Sequence, residues 1–346
     1  MWDSVEIMTD DGLTVKASAP IIVSASRSTD IPAFFPYWLI NRLRKGYAKW
    51  VNPFNQVPLY ISFSKTRVIV FWTKNPKPLL PYLAEIDKMS INYYFQFTIN
   101  DYEREGLEPN VPPLEERVET FNELSRRVGK ERVIWRFDPL ILIPPLTVDD
   151  LLLKIERLGE RLVEHTDKLV VSFVDIKEYR KVQQNLIKEL PDVFRKDTVL
   201  SAEFRQEDKE RFASGLQSLV QTWRKSNPGF TVATCAEDLD LAKYGIAHNK
   251  CIDDDLMIQL FNKDEILMDF LGYEPRDSLF KGTGLMGPTK TTLKDKGQRK
   301  ACGCIVSRDI GAYNTCRHLC VYCYANASKR TVEKKKARHD DSSDEL

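Results

Sequence analysis

Cysteines are the residues of this chain whose type and spacing most directly indicate chemistry. Five of the seven cysteines lie within 22 residues near the end of the 346-residue sequence. Cys316, Cys320 and Cys323 have the spacing C-x3-C-x2-C, and Cys302 and Cys304 precede them closely. Such clustering indicates a shared metal or shared disulfides. The chain opens without a signal-peptide pattern, so we expect a cytoplasmic protein with reduced thiols, and therefore a metal site.

The arrangement of the thiols bears on which metal they bind. Zinc sites usually combine two pairs of ligands in a closed shell of four. Here one compact triplet stands in a chain with only four histidines. Three thiolates suit a cubane iron–sulfur cluster in which one iron lacks a protein ligand. We therefore expect Cys316, Cys320 and Cys323 to bind a 4Fe–4S cluster, with a zinc knuckle completed by Cys302 or Cys304 as the alternative.

The triplet, with Tyr322 directly before its third cysteine, resembles the cluster-binding motif of the radical S-adenosylmethionine enzymes. The sequence of residues 313–326 is similar to that of the branch that contains spore photoproduct lyase. The resemblance implies that the open iron binds S-adenosylmethionine and that Tyr322 lies against the adenine. It further implies a 5′-deoxyadenosyl radical acting on an unknown substrate, and an electron donor such as a ferredoxin or flavodoxin. Those enzymes carry the motif early, so here either a barrel is permuted or the segment folds back over the barrel mouth.

Composition limits the other classes of function. Hydrophobic residues make up 42% of the chain, enough for a sizeable core, and no stretch is long enough to span a membrane. The net charge is +1, from 51 basic and 50 acidic residues. This balance does not indicate nucleic acid as a partner, although a local basic patch would still allow it. A zinc- or cluster-stabilised nucleic-acid-binding protein is the alternative function, and scarce histidine argues against a metallohydrolase.

The elements that must position these residues alternate between strands and helices. Strands are predicted at 20–25, 67–72, 93–98, 132–138, 168–175 and 230–235, and helices at 32–45, 114–128, 148–164, 177–190, 206–224 and 236–244. This alternation predicts an α/β fold with a parallel sheet and helices outside it. Right-handed crossovers would close it into a full or partial (βα) barrel, or leave it open. We expect residues 1–275 to form the barrel-like domain and 276–300 a linker. Residues 301–328 would form the cluster-binding segment and 329–346 a mobile charged tail.

Polar residues recur near the carboxyl ends of the predicted strands, where barrel active sites are built. Within each strand they occupy alternate positions, so their side chains point to the same side and could face one pocket. These residues are Ser24, Ser26, Gln96, Thr98, Arg136, Asp138 and Ser172. We expect Ser26, Gln96, Thr98 and Arg136 to bind cofactor, and Asp138 to be catalytic. The forked donors of Arg136 suit a carboxylate of the cofactor or substrate. A structural ion pair with Asp138 is the alternative. Asp30 is interpreted as a helix cap.

Cys302 and Cys304 have three possible roles. They could complete a second cluster with Cys235 and Cys251, supply a fourth ligand to the triplet, or act as a catalytic thiol pair. A fourth ligand would close the open iron, and Cys235 follows an apolar run in which a buried cysteine is an ordinary core residue. The sequence therefore predicts one cluster per chain. Cys302 and Cys304 are expected beside the cofactor as catalytic thiols.

A broader resemblance covers nearly the whole chain. The motifs that carry it are 24–34, 71–78, 94–98, 132–139, 234–237 and Cys302-Gly303-Cys304 with the terminal triplet. In these the chain resembles the uncharacterised family known as domain of unknown function 1848. The resemblance implies no particular substrate, but its motifs coincide with the predicted strand ends.

Overall fold

The computed structural model describes residues 2–53, 55–273 and 293–346. Its strands are β1 (Asp3–Met8), β2 (Thr14–Ala19), β3 (Ile22–Ala25), β4 (Tyr47–Val51), β5 (Pro58–Ser62), β6 (Val68–Thr73), β7 (Asn92–Thr98), β8 (Val133–Leu140), β9 (Lys168–Phe173), β10 (Thr231–Thr234), β11 (Ile246–His248) and β12 (Arg308–Asp309). Its α-helices are α1 (Ile31–Phe34), α2 (Pro36–Lys45), α3 (Leu83–Lys88), α4 (Leu114–Val128), α5 (Val148–Leu162), α6 (Arg180–Glu189), α7 (Gln206–Trp223), α8 (Asp254–Phe261), α9 (Glu265–Leu271) and α10 (Lys329–Arg338).

The main sheet has eight strands in the order β11-β10-β9-β8-β7-β6-β3-β12. All neighbouring strands in it are parallel. Strands β3, β6, β7, β8, β9, β10 and β11 follow one another both along the chain and across the sheet. The prediction of an α/β fold with parallel strands is confirmed. The edge strand β12 belongs to residues 301–328, which we call the cysteine segment, and it joins the sheet beside β3.

Alternate side chains of the main sheet enter two separate apolar cores, because successive residues of a strand point to opposite faces. Phe95 and Phe97 of β7 belong to the larger core, which also contains residues of α4, α5 and α7. Tyr94 belongs to a smaller core on the other face, together with residues of α8 and α9. This second face is therefore covered by the chain that follows β11. Gln96 lies on the same face as Tyr94, one step closer to the carboxyl ends.

A second sheet, absent from the sequence prediction, has the order β1-β2-β5-β4. Its β2 and β5 are parallel, and the other two pairs are antiparallel. Strand β1 is mostly exposed, so its sequence lacks the apolar run that indicates a buried strand. Ala48 and Ile61 of this sheet nevertheless enter the larger core.

Two predicted helices differ from the structure. The helix predicted at 32–45 is divided into α1 and α2, because Pro36 has no N–H to continue the first helix. Gly46 ends α2 in the left-handed conformation, at φ 80°, as predicted. The helix predicted at 236–244 is a loop with one 3-10 turn, Ala242–Tyr244. Ala236 has a φ of 52°, which is outside the right-handed helical region.

The charged C-terminal segment, predicted to be mobile, contains α10, whose first turn is capped by Ser328. Beyond the helix, Trp38 Nε1 donates to Ser343 O at 3.0 Å and Lys49 N donates to Asp344 O at 2.7 Å. The end of the chain thus contacts α2 and β4. Most of the predicted linker at 276–300 lies outside the described residues, and Lys294 forms an antiparallel bridge with Ile305. No helix in the described ranges is both long and apolar enough to cross a bilayer.

Candidate metal centre

The carboxylate of Asp309 attaches the cysteine segment to the carboxyl end of β3. It accepts hydrogen bonds from Ser24 Oγ at 2.9 Å, Ser26 Oγ at 2.8 Å and Arg27 N at 2.8 Å. Gly311 N donates to the same carboxylate at 2.9 Å. A Cβ at Gly311 would lie 1.9 Å from Ser26 Oγ, so only glycine fits there. Ser26, predicted to bind cofactor, therefore contacts the cysteine segment itself.

The three cysteines of the triplet lie within electrostatic reach of one another. Cys320 is buried, and Cys316 and Cys323 are half-buried. Burial raises the pKa of Cys316 to about 12, with the Cys323 thiol as a further cause. Burial also raises the pKa values of Cys320 and Cys323. Thiols with such raised pKa values remain protonated at neutral pH, so they would become thiolates as a metal displaces their protons.

Backbone N–H groups and a cation lie near these sulfurs. The backbone amides of Ala325 and Asn326 oppose the rise in the pKa of Cys323, and those of Asp30 and His318 oppose the rise in the pKa of Cys316. The Lys74 ammonium opposes the rise in the pKa of Cys320. Nearby N–H groups and positive charge both stabilise an anionic iron–sulfur cluster. The surroundings of the triplet therefore fit such a cluster.

His318, the histidine of this segment, is engaged through both ring nitrogens. Its Nε2 lies 2.8 Å from Asp30 Oδ2, and its Nδ1 lies 3.3 Å from Asn110 O. Asp30 also caps α1 by accepting from Ala33 N at 3.0 Å, as predicted, and accepts from Lys74 N at 2.7 Å. His318 thus holds the segment against the start of α1.

Tyr322 belongs to a buried polar cluster beside the triplet. Its hydroxyl donates to Glu108 Oε1 and accepts from Asn100 Nδ2 at 3.2 Å. Lys74 Nζ donates to the same Glu108 oxygen at 2.8 Å and lies 5.5 Å from the centre of the Tyr322 ring. Arg117 Nη1 is 3.6 Å from Glu108 Oε2. Burial raises the pKa of Glu108, but Lys74 and Arg117 together hold this pKa below its ordinary value.

Sequence reasoning assigned no role to Lys74, Glu108 or Asn100. Lys74 lies in 71–78, one of the motifs that carry the family resemblance, and this position could have marked it as a candidate site residue. Glu108 lies in the loop before α4, and neither its spacing nor its neighbours distinguish it from a surface glutamate. Its role depends on contacts between segments far apart in the chain.

Arg136 and Asp138 of β8 form an ion pair. Arg136 Nη2 lies 2.6 Å from Asp138 Oδ2, and Arg136 Nη1 donates to Gln96 Oε1 at 3.1 Å. Ser172 Oγ donates to Asp138 Oδ1. Burial raises the pKa of Asp138, but Arg136 and Ser172 together hold it below the ordinary value. Four of the residues predicted from strand parity are therefore in direct contact.

The remaining parity residues lie around this ion pair. Thr98 is half-buried and is paired in register with Arg136. Ser24 Oγ accepts from Trp72 Nε1 at 3.1 Å. The Trp72 ring has the guanidinium of Arg136 at 5.3 Å and that of Arg27 at 5.5 Å from its centre. Stacking of cations on an aromatic ring stabilises both arginines at the strand ends.

Cys302 and Cys304 lie with Cys235 and Cys251, which follow β10 and β11. Cys235 Sγ and Cys251 Sγ are 3.4 Å apart, and Cys251 N donates to Cys304 Sγ at 3.3 Å. A hydrogen bond to Cys304 lowers the pKa of Cys302 to about 7. We call these four residues the quartet.

Two surface cavities of about 220 and 520 Å³ lie away from these cysteines. The first is lined mainly by the C-terminal segment, and the second lies at the amino ends of β8 to β10.

The sequence profile of the family described as Domain of unknown function (DUF1848) matches residues 22–325. This range runs from β3 into the cysteine segment and includes both the quartet and the triplet. The chain therefore belongs to this family. No significant match was found among curated proteins.

Proposed function

We propose that this protein is an enzyme whose Cys316, Cys320 and Cys323 hold a 4Fe–4S cluster that cleaves S-adenosylmethionine for radical chemistry on a substrate. The main observation in its favour is a segment that offers three thiolates while His318 is engaged elsewhere. A cubane on three thiolates keeps one iron open for a small molecule. A structural zinc site needs a closed shell of four ligands.

The spacing of the sulfurs also favours a cluster over a single ion at the triplet. In a tetrahedral zinc site with Zn–S bonds of about 2.3 Å, the sulfurs stand about 3.8 Å apart. Among the described residues, no three cysteine sulfurs lie within 4.8 Å of one another. A cubane suits wider spacing, because each thiolate binds a different iron.

We further propose that the parallel sheet is a partial barrel whose active site lies at the carboxyl ends of its strands. The strand order has no reversal, which is typical of barrels. The segment containing Cys304 contacts both ends of this series. Ile305 N donates to Ile252 O after β11 at 3.1 Å, and β12 pairs with β3. The two edges of the sheet are thus connected by residues 302–309.

The chemistry that the bound cluster supplies is the electron that breaks a carbon–sulfur bond of the cofactor. The residues of the chain bind the cofactor and exclude water. Tyr322, fixed through its hydroxyl to Glu108, offers an aromatic face suited to an adenine ring. Lys74 balances the negative charge of the thiolates. The paired Arg136 and Asp138 offer donors and acceptors to a polar substrate.

The proposal includes a cytoplasmic location and a small redox protein, such as a ferredoxin or flavodoxin, as electron donor. A radical enzyme needs a low-potential electron and anaerobic handling of its cluster. The substrate is unknown, so the first assay must not depend on it.

The test is anaerobic reconstitution with iron and sulfide, followed by incubation with S-adenosylmethionine and dithionite. We expect 5′-deoxyadenosine to form, and single replacement of Cys316, Cys320 or Cys323 by Ala to abolish it and to lower the cluster absorbance. Tyr37→Phe, a change at an exposed tyrosine of α2, is the control and should retain both signals. Bound zinc without iron, or 5′-deoxyadenosine at full rate in all three alanine variants, would refute the proposal.

A further inference from the structure

The four cysteines outside the triplet come from three separate loops. Cys235 follows β10, Cys251 follows β11, and Cys302 and Cys304 precede β12. We propose that Cys235, Cys251, Cys302 and Cys304 form a second metal centre that is closed by four thiolates. This inference is independent of the chemistry at the triplet.

Contacts connect the residues of the quartet. Cys235 Sγ and Cys251 Sγ are 3.4 Å apart, and Cys251 N donates to Cys304 Sγ at 3.3 Å. Cys302 lies two residues before Cys304, and a hydrogen bond to Cys304 lowers its pKa. All seven cysteines of the chain therefore fall into two groups, the triplet and the quartet.

Hydrogen-bond donors from the backbone and from side chains are directed at two sulfurs of the quartet. Cys304 Sγ accepts from the N–H groups of Cys251 at 3.3 Å and Ile252 at 3.4 Å. Cys251 Sγ accepts from Asn249 Nδ2 and Arg136 Nη1, each at 3.1 Å. A neutral thiol is a weak acceptor, whereas a metal-bound thiolate is a strong one. Four donors on two sulfurs are therefore what a thiolate centre requires and more than core cysteines would use.

Two guanidinium groups lie beside the quartet and would offset part of the negative charge of such a centre, since that of Arg136 is also paired with Asp138 at 2.6 Å. Four thiolates on a Zn²⁺ ion, or on an oxidised cubane, leave a net charge of about −2. Arg136 is 2% exposed and contacts Cys251, while Arg27 faces both Cys304 and Cys251. Arg27 Nη2 is buried without a hydrogen-bond partner. An unpaired buried donor is costly, and a negative metal centre would offset that cost.

The backbone around the quartet is held in place by the sheet. Tyr94 Oη and Gln96 Nε2 donate to Cys251 O at 2.7 and 3.0 Å. Gly303 lets the Cys302–Cys304 loop approach the loop before Cys251, since an added Cβ would lie 3.3 Å from Asn249 O and 3.0 Å from Lys250 Cγ. These contacts fix the positions of ligands from separate loops, as a preorganised metal site requires.

Thiolates select soft metals, of which zinc and iron–sulfur clusters are the common choices. The Cys235–Cys251 pair has a spacing near that of a single-ion site. The set as a whole is wider, because no three of its sulfurs lie within 4.8 Å of one another. Both choices share the four-thiolate chemistry, and metal analysis distinguishes them.

The test is metal and sulfide analysis of the full-length chain purified anaerobically, together with two variants. In Cys316→Ala/Cys320→Ala/Cys323→Ala, which removes the triplet, we expect metal to persist, either about one zinc or about four irons with sulfide per chain. In Cys302→Ala/Cys304→Ala we expect the loss of that amount and no more. Failure of the triplet proposal would appear as iron unchanged in the first variant, so the two failures are distinguishable.

Native mass spectrometry of the unmodified chain keeps the inference testable if a variant fails to fold. We expect a mass that includes a second centre beyond one cubane. A mass that accounts for a single centre, lost when the triplet is removed and retained in Cys302→Ala/Cys304→Ala, would overturn the inference. So would four freely reactive thiols in the folded, metal-loaded protein, since metal-bound thiolates are protected from alkylation.

Discussion

Replacing Asp309 with Ala should detach the cysteine segment from the sheet. The carboxylate accepts three hydrogen bonds from the β3 side, from Ser24, Ser26 and Arg27. A hydrogen bond to a charged group contributes roughly 1.5–3 kcal/mol, and the buried hydroxyls of Ser24 and Ser26 do not readily regain water. Three such bonds give roughly 4–9 kcal/mol, which is comparable with the whole stability of an ordinary domain. Asp309→Asn keeps an oxygen acceptor and should lose about half as much.

The assay is urea unfolding of the metal-free chain, followed by iron analysis after reconstitution. Asp238→Ala, which changes an exposed aspartate, is the matched control and should stay within about 0.5 kcal/mol of the parent. We expect Asp309→Ala to lose stability and to bind less iron, because the triplet no longer lies against β3. If Asp309→Ala matched Asp238→Ala in both measurements, the carboxylate would not attach the segment.

Three further outcomes follow from buried charges and from the docked C-terminus. Arg136→Ala should destabilise the chain by roughly 3–5 kcal/mol by leaving Asp138 unpaired, whereas unchanged urea stability with weaker cofactor binding would assign Arg136 to binding alone. Burial raises the pKa of Asp253 despite Lys168, so its ionisation opposes folding as pH rises above the unfolded value near 3.9. Asp253→Asn keeps the cap and should flatten this decline in unfolding free energy, and an unaltered slope would contradict the assignment. Deleting residues 339–346 should cost roughly 1–3 kcal/mol, and no loss on thermal or urea unfolding would mean that the segment does not stabilise the fold.

Strands buried on both faces were predictable from sequence, because they read as short apolar runs between polar turns. Strands β6, β7, β8 and β9 lie within a residue or two of their predicted ranges. Helix α4 matches its prediction, since Pro113 and Gly129 bound a clear apolar stripe. Strand β1 is mostly exposed and β2 alternates between exposed and buried residues, and neither shows such an apolar run.

Parity along the strands correctly grouped Gln96, Arg136, Asp138 and Ser172, because the side-chain period of a strand is two residues. The same reasoning could not identify Asp309, Glu108 or Lys74 as their neighbours. Glu108 and Lys74 lie in loops, and Asp309 lies in β12, which has only two residues, so no periodicity links their sequence positions to side-chain direction. The contact of Glu108 with Tyr322 depends on the tertiary fold, which brings the two distant segments together.

The cysteines show most clearly what the sequence determines and what only the tertiary structure determines. The C-x3-C-x2-C spacing by itself predicts that Cys316, Cys320 and Cys323 form one group, because residues a few positions apart can converge without help from the fold. Only the tertiary structure decided the partners of Cys302 and Cys304. Cys235 and Cys251 are more than 50 residues away in sequence. Cys251 contacts Cys304, and Cys235 contacts Cys251, because parallel strands bring the loops after β10 and β11 to the same edge of the sheet.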